Sequence, residues 1–166
     1  MDRFLADKGL LARIDHVRQS VSEKASELVF TAMGFLGVPY RRGGNTVETG
    51  FDCSGFVKAM FEQTLGLILP RKAEQQAAAT QKIERADLQP GDLVFFNTMR
   101  RAFSHVGIYV GEGKFIHSPK PGAEVRVEDM GLAYWNHRFD GARRVQTAAP
   151  ETPAPQALPV AEAAVR

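Results

Sequence analysis

Apolar and polar positions alternate with two different periods along this chain, helical first and strand-like afterwards. Residues 1 to 19 carry one stripe, Phe4, Leu5, Leu10, Leu11, Ile14 and Val17, which fits a short amphipathic helical arm. Ser20 with Glu23 three residues later reads as a capping box, opening a helix to about Leu36 through Ala25, Leu28, Val29, Ala32, Met33 and Phe35. Gly37 is its expected stop, with Pro39 two residues beyond. Tyr40 to Gly50 has no apolar period and several glycines, so a loop is expected there. A second helical run follows, with Asp52 as N-cap, Cys53 in the first turn, Phe56, Val57, Met60, Phe61 and Leu65 inward, and Gly66 at the end. Leu67 to Arg71 reads as extended, and Lys72 to Lys82, rich in Ala, Gln and Glu, as a short third helix.

Beyond the turn at Asp87 to Asp92 the period changes to that of strands. Leu93 to Asn97, His105 to Val110, Lys114 to Ser118, Val125 to Glu128 and Phe139 to Val145 are the strand candidates. Gly111-Glu112-Gly113 joins two of them as a hairpin, and a short helical or irregular piece is expected around Met130 to Trp135. Helices first and meandering strands afterwards predict an α+β domain with an antiparallel sheet, over residues 20 to 145. From 146 to 166 the chain turns to Ala, Pro and Glu, with too little bulky apolar surface to offset ordering entropy, so a disordered tail is expected.

Composition changes this picture little. The 166 residues allow one domain with a proper core, and 44% hydrophobic with 24% charged is ordinary for a globular protein. A net charge of +2 and scattered arginine pairs (Arg41-Arg42, Arg100-Arg101, Arg143-Arg144) argue against nucleic acid as a partner. No apolar run approaches the roughly 20 residues of a membrane span. Met1 to Lys8 is charged and lacks the apolar stretch of a signal peptide.

The chemistry converges on Cys53, the one cysteine. It cannot form an internal disulfide, which leaves a small buried hydrophobe or a nucleophile. The free N–H groups of a helix start would favour its thiolate. A thiol nucleophile needs a base, and the base needs an orienting group. Of the four histidines, His16 and His137 read as surface or structural. His105 and His117 fall on neighbouring antiparallel strands, with His105 opposite about 117 to 119. A bulge at the glycines leaves their parity open. One of them could be the base and the other its partner; the alternative is a pair of satisfied sheet histidines. One cysteine and dispersed histidines offer no zinc spacing, and the reaction calls for neither metal nor cofactor.

Asp52-Cys53-Ser54-Gly55-Phe56-Val57, Ser104-His105-Val106-Gly107-Ile108-Tyr109-Val110-Gly111 and Phe115-Ile116-His117-Ser118 together resemble the NlpC-type bacterial cell-wall cysteine peptidases. Gly37-Val38-Pro39-Tyr40 with Gly43-Gly44, Leu69-Pro70-Arg71 with Gln76, and Leu88 to Phe96 extend the likeness over residues 23 to 145. The resemblance implies a papain-like α+β fold, with the catalytic cysteine opening a helix packed on a central antiparallel sheet. It implies Cys53 as nucleophile, His105 as general base and His117 as the group orienting it. Tyr40 matches a tyrosine serving the oxyanion or the substrate, and Asp52 and Ser54 match positions lining a pocket for the free amine of a stem peptide. Arg71 matches an arginine that supports the site, or else a structural salt bridge. The implied substrate is peptidoglycan stem peptide, cut between γ-D-glutamate and a diamino acid such as meso-diaminopimelate. Alternatives are a thiol amidase or acyltransferase, a non-catalytic wall-binding module, or a toxin aimed at a rival's envelope. A monomer is expected, acting in the periplasm or cell envelope by virtue of its substrate, with cytoplasmic or exported-effector locations open.

Overall fold

The structure, a computed structural model, describes residues 23–146. The expected arm over 1–19, the Ser20 cap and the tail from 147 onward lie outside the described residues. Helix α1 covers described residues 23–33 and passes into turns that end at Gly37, whose φ of 92° suits only glycine. The helix thus stops short of the expected Leu36, and the Gly37 N–H bonds to the Val125 carbonyl instead. Helix α2 (Cys53–Leu65) follows expectation at both ends. The Asp52 side chain accepts from the Gly55 N–H at 2.7 Å, and Gly66 closes the helix with φ 68°.

Two departures come from local competition. The third helix is only α3 (Ala73–Ala78), where the Thr80 hydroxyl takes the Gln76 carbonyl at 2.7 Å and the next residues pair with the sheet. Beyond it Gln81–Ile83 is an edge strand rather than helix. In the expected loop, Asn45–Thr46 (β1) and Gly50–Phe51 (β2) form a small ribbon. That ribbon lies close over the first turn of α2, where a Cβ on Gly55 would overlap the Gly44 carbonyl. A Cβ on Gly44 would in turn overlap the Gly50 carbonyl, so both positions require glycine for the loop to reach the helix start.

The main sheet has six antiparallel strands in the order β3-β8-β4-β5-β6-β7. They are β3 (Gln81–Ile83), β4 (Leu93–Phe96), β5 (His105–Gly111), β6 (Lys114–His117), β7 (Arg126–Asp129) and β8 (Phe139–Arg144). Helix α4 (Ala133–Arg138) lies between the last two, three residues later than expected. All four residues of β4 are buried, because both faces of the sheet are covered. One face packs Leu93, Phe95, Val106, Ile108 and Ile116 against Phe56, Val57, Met60 and Phe61 of α2. The other packs Val94, Phe96 and Phe115 against Met130 and Trp135. Each fully buried side chain of this size contributes on the order of 2 kcal/mol, so α2 is fixed by packing far more than by helix propensity.

The cap at Asp52 sets where α2 begins. Measured as a lower urea midpoint, Asp52→Ala is expected to cost more than the roughly 0.5–2 kcal/mol of a lost cap, because Arg71 and Gly43 also lose their acceptor. Asp52→Asn keeps an oxygen for the Gly55 N–H and is expected to lose less.

Candidate active site

The start of α2 meets the start of β5, and this junction brings Cys53 to His105. The Cys53 Sγ lies 3.9 Å from the Ser104 carbonyl oxygen, the residue before His105. Cys53 and His105 line one cleft of about 970 Å³, together with Tyr40, Asp52, Ser54 and Arg71. His117 stands behind His105, fully buried, and completes the set.

The two histidines share a face of the sheet. Ile108 pairs with Ile116, so continuing the register sets Gly107 across from His117 and His105 diagonal to it. The bulge between Tyr109 and Gly111 lies on the hairpin side and leaves this parity intact. His105 Nε2 and His117 Nδ1 are 2.7 Å apart. That contact occupies Nε2 and leaves Nδ1 of His105 as the nitrogen available to the thiol. Gly107 makes the contact possible: a Cβ there would sit 2.7 Å from the Phe115 ring and 3.0 Å from the His117 Cβ.

Three residues that the sequence reading passed over complete the surroundings. His117 Nε2 lies 2.8 Å from the Glu128 carboxylate, which also accepts from Trp135 Nε1 at 3.0 Å and from Arg126 Nε at 2.8 Å. The Trp135 ring stacks on His105, with centroids 5.6 Å apart and planes 24° from parallel. One signal in the sequence could have found Glu128. It follows Arg126 by two on a strand facing His117 across the β6–β7 pair, so both point to the same side.

Asp52 and Ser54 line the cleft, and Arg71 engages both. Asp52 Oδ1 accepts from Gly55 N–H at 2.7 Å and Arg71 Nη1 at 3.0 Å; Oδ2 accepts from Gly43 N–H at 3.1 Å and Arg71 Nη2 at 2.9 Å. The Ser54 hydroxyl accepts from Arg71 Nη1 at 2.9 Å. In this arrangement Arg71 thus ties the glycine loop to the start of α2 through these two residues. Gln76, fully buried, holds the Ser54 and Pro70 carbonyls with its amide. Tyr40 is half-buried at the cleft wall, and among the described residues no hydrogen bond engages its hydroxyl. His137 is exposed on α4, and His16 lies outside the described residues.

Electrostatics bear on the expected thiolate. Burial pushes the Cys53 thiol up to about 11, and the backbone N–H groups of Val106 and Ser54 offset only part of this. The helix start alone does not hold a thiolate. Burial also keeps His105 well below the ordinary imidazole value, with His117 adding to the effect. His117 is lowered by burial too, against the pull of Glu128. Glu128 is held down to about 2, chiefly by its hydrogen bond from His117. These shifts describe one resting state: a neutral thiol, two neutral imidazoles and an ionised carboxylate. An arrangement of this kind can pass the thiol proton to an imidazole as the sulfur attacks.

Comparison with known proteins extends these observations. The family model described as the NlpC/P60 family matches residues 37–144. The chain is 42% identical over 129 residues to murein DD-endopeptidase MepH of Escherichia coli, covering 75% of this chain and 48% of that protein. It is 43% identical over 118 residues to gamma-DL-glutamyl hydrolase of Bacillus subtilis, covering 70% and 28%. A crystal structure of an NlpC/P60 family protein from Bacillus cereus superposes with a TM-score of 0.68 at 34% identity, over 72% of this chain and 39% of that one. The chain thus spans less than half the length of each of these proteins.

Two outcomes follow from this geometry. With both imidazoles held below 6.5, the folded protein binds their protons less readily than the unfolded chain does. Stability is therefore full above about pH 6.5 and falls as acid protonates the unfolded histidines. Glu128 adds a second loss between its ordinary 4.5 and about 2. Urea midpoints are expected to be lower near pH 5.5 than near pH 7.5, and a flat profile would contradict the buried neutral pair. Gly107→Ala is expected to separate the histidines and cut turnover at least about tenfold, since an added methyl in a packed site forces shifts costing roughly 1–3 kcal/mol.

Proposed function

The chain belongs to the NlpC/P60 family, and from that membership we propose that it is a peptidoglycan hydrolase. In this reading it is a cysteine endopeptidase acting on stem peptides between γ-D-glutamate and a diamino acid such as meso-diaminopimelate. The observation that carries the reading is the convergence of Cys53 and His105 on one cleft, with His117 2.7 Å behind the base.

The steps follow from the residues. The Cys53 sulfur attacks the amide carbonyl carbon while His105 Nδ1 takes the thiol proton. Negative charge on the carbonyl oxygen meets the unpaired N–H groups of the first turn of α2 and the Tyr40 hydroxyl. The C–N bond breaks as His105 returns its proton to the leaving amine, giving a thioester on Cys53. Water, deprotonated by His105, then cleaves the thioester and restores the thiol.

The rim of the cleft supports an acidic peptide. Arg42, Lys72, Arg101, Lys120 and Arg126 line it with the clamped Arg71, against Asp52, Glu74 and Glu128. Glutamate linked through its γ-carboxyl leaves its α-carboxylate free beside the scissile bond, and such a group suits these cations. Met99, Leu132 and Tyr134 add an exposed apolar lip. A second reading, a bond between two D-centres, is favoured by the name of the relative MepH, a murein DD-endopeptidase. Peptidoglycan lies outside the cytoplasmic membrane, so the periplasm or cell envelope is the proposed place of action. Among the described residues no helix is long and apolar enough to cross a membrane.

The test is digestion of purified muropeptides, with products read by mass spectrometry. The wild-type chain is expected to release fragments ending at γ-D-glutamate, and Cys53→Ala to release none while keeping its fold by circular dichroism. Full activity in the Cys53→Ala variant would overturn the assignment, and fragments ending at a D,D bond would select the second reading.

A further inference from the structure

The proton positions in the histidine pair are set from the far side of the site. An ionised carboxylate only accepts hydrogen bonds. Glu128 Oε2 lies 2.8 Å from His117 Nε2, so that nitrogen carries the hydrogen. A neutral imidazole has one N–H, which makes Nδ1 of His117 an acceptor. That acceptor is 2.7 Å from Nε2 of His105, which must donate. His105 is left with its lone pair at Nδ1, the one nitrogen able to take a proton from Cys53.

From this chain of contacts we infer that Glu128 is a positioning residue for the reaction, fixing the tautomers of His117 and His105 in turn. The inference rests on the hydrolase reading for its effect on turnover, but not for its effect on the resting protein. Were His117 free to carry its hydrogen on Nδ1, His105 would accept at Nε2 and carry its own on Nδ1. In that arrangement it cannot act as base toward the thiol. The carboxylate is itself held rigidly. Trp135 Nε1 donates to Oε1 at 3.0 Å from α4, and Arg126 Nε donates to Oε2 at 2.8 Å from β7. The same Trp135 stacks on His105, so one carboxylate fixes both the proton and the plane of the base. When His105 takes the thiol proton, its positive charge is balanced through His117 by Glu128.

The groups facing the pair are few. Helix α2 presents Cys53, with the Asp52–Arg71 ion pair at its start. Strand β7 presents Glu128 and Arg126, themselves paired. Helix α4 presents Trp135, with Tyr134 beside it. Glu128 is thus the one carboxylate among them in contact with either histidine.

The test uses Glu128→Gln in the full chain, an exchange of nearly equal volume that removes only the charge. Nitrogen-15 spectra of the histidine rings, recorded without substrate, are expected to show a single tautomer at His105 and His117 in the wild type. The variant is expected to populate the second. Turnover is expected to fall about 10–100-fold, the usual effect of losing an orienting carboxylate behind a histidine, with KM changing less than about twofold. The acid limb of kcat/KM is expected at lower pH, because the imidazolium loses its balancing charge. Glu128→Asp, retaining the charge on a shorter arm, is expected to recover part of the turnover. Trp135→Phe, which removes one donor and keeps a ring, is expected to shift the tautomers the same way by less. Unchanged tautomers in Glu128→Gln would overturn the inference, whether turnover fell or not. Altered tautomers in a protein that cleaves no stem peptide would leave the inference standing and sink the hydrolase reading instead.

Discussion

Four donors converge on the carboxylate of Asp52, and the position of the reactive sulfur depends on them. Two come from the backbone, Gly55 of α2 and Gly43 of the glycine loop, and two from the Arg71 guanidinium. A bidentate guanidinium pair is directional as well as strong, so it fixes an angle as well as a distance. The next residue is Cys53. Its backbone can shift only if the loop, the helix start and the crossing at Arg71 shift together. The side chain of Asp52 is only 18% exposed, so the ion pair is partly desolvated and its full set of hydrogen bonds is what offsets that penalty.

That rigid frame carries a thiol that burial keeps protonated. Burial raises the thiol to about 11 even with the backbone N–H groups at the helix start drawing it down, so desolvation outweighs them. In the proposed reaction the sulfur becomes nucleophilic as His105 takes its proton, and a neutral His105 suits that role.

Most of the frame was legible in the sequence where local rules and tertiary contacts agree. Asp52, Cys53 and Gly66 mark both ends of α2 because capping chemistry is local. Five of the six strands of the main sheet announce themselves through their strand-like runs, and the His105–His117 hairpin through its glycines. The shortened α3 was hidden because Ala, Gln and Glu favour helix whatever follows, and only pairing of Gln81–Ile83 with β8 turns the chain to strand. The small β1–β2 ribbon has no apolar period and exists through close glycine contacts that spacing cannot reveal. At the site, the meeting of Cys53, His105 and His117 was readable from residue type and strand pairing. The engagement of Asp52 by Arg71 and of Glu128 by His117 was not, since each depends on chain segments brought together by the fold.

The sheet separates two packed layers, and the reacting pair straddles them. Cys53 packs with the α2 layer, while His117 and Trp135 belong to the layer under α4. A chain growing from its N-terminus thus completes the segment bearing the sulfur well before the residues that orient the base. Glu128 and Trp135, which hold His117 and His105, come from β7 and α4, so the surroundings of the base are completed only by the last segments of the described chain.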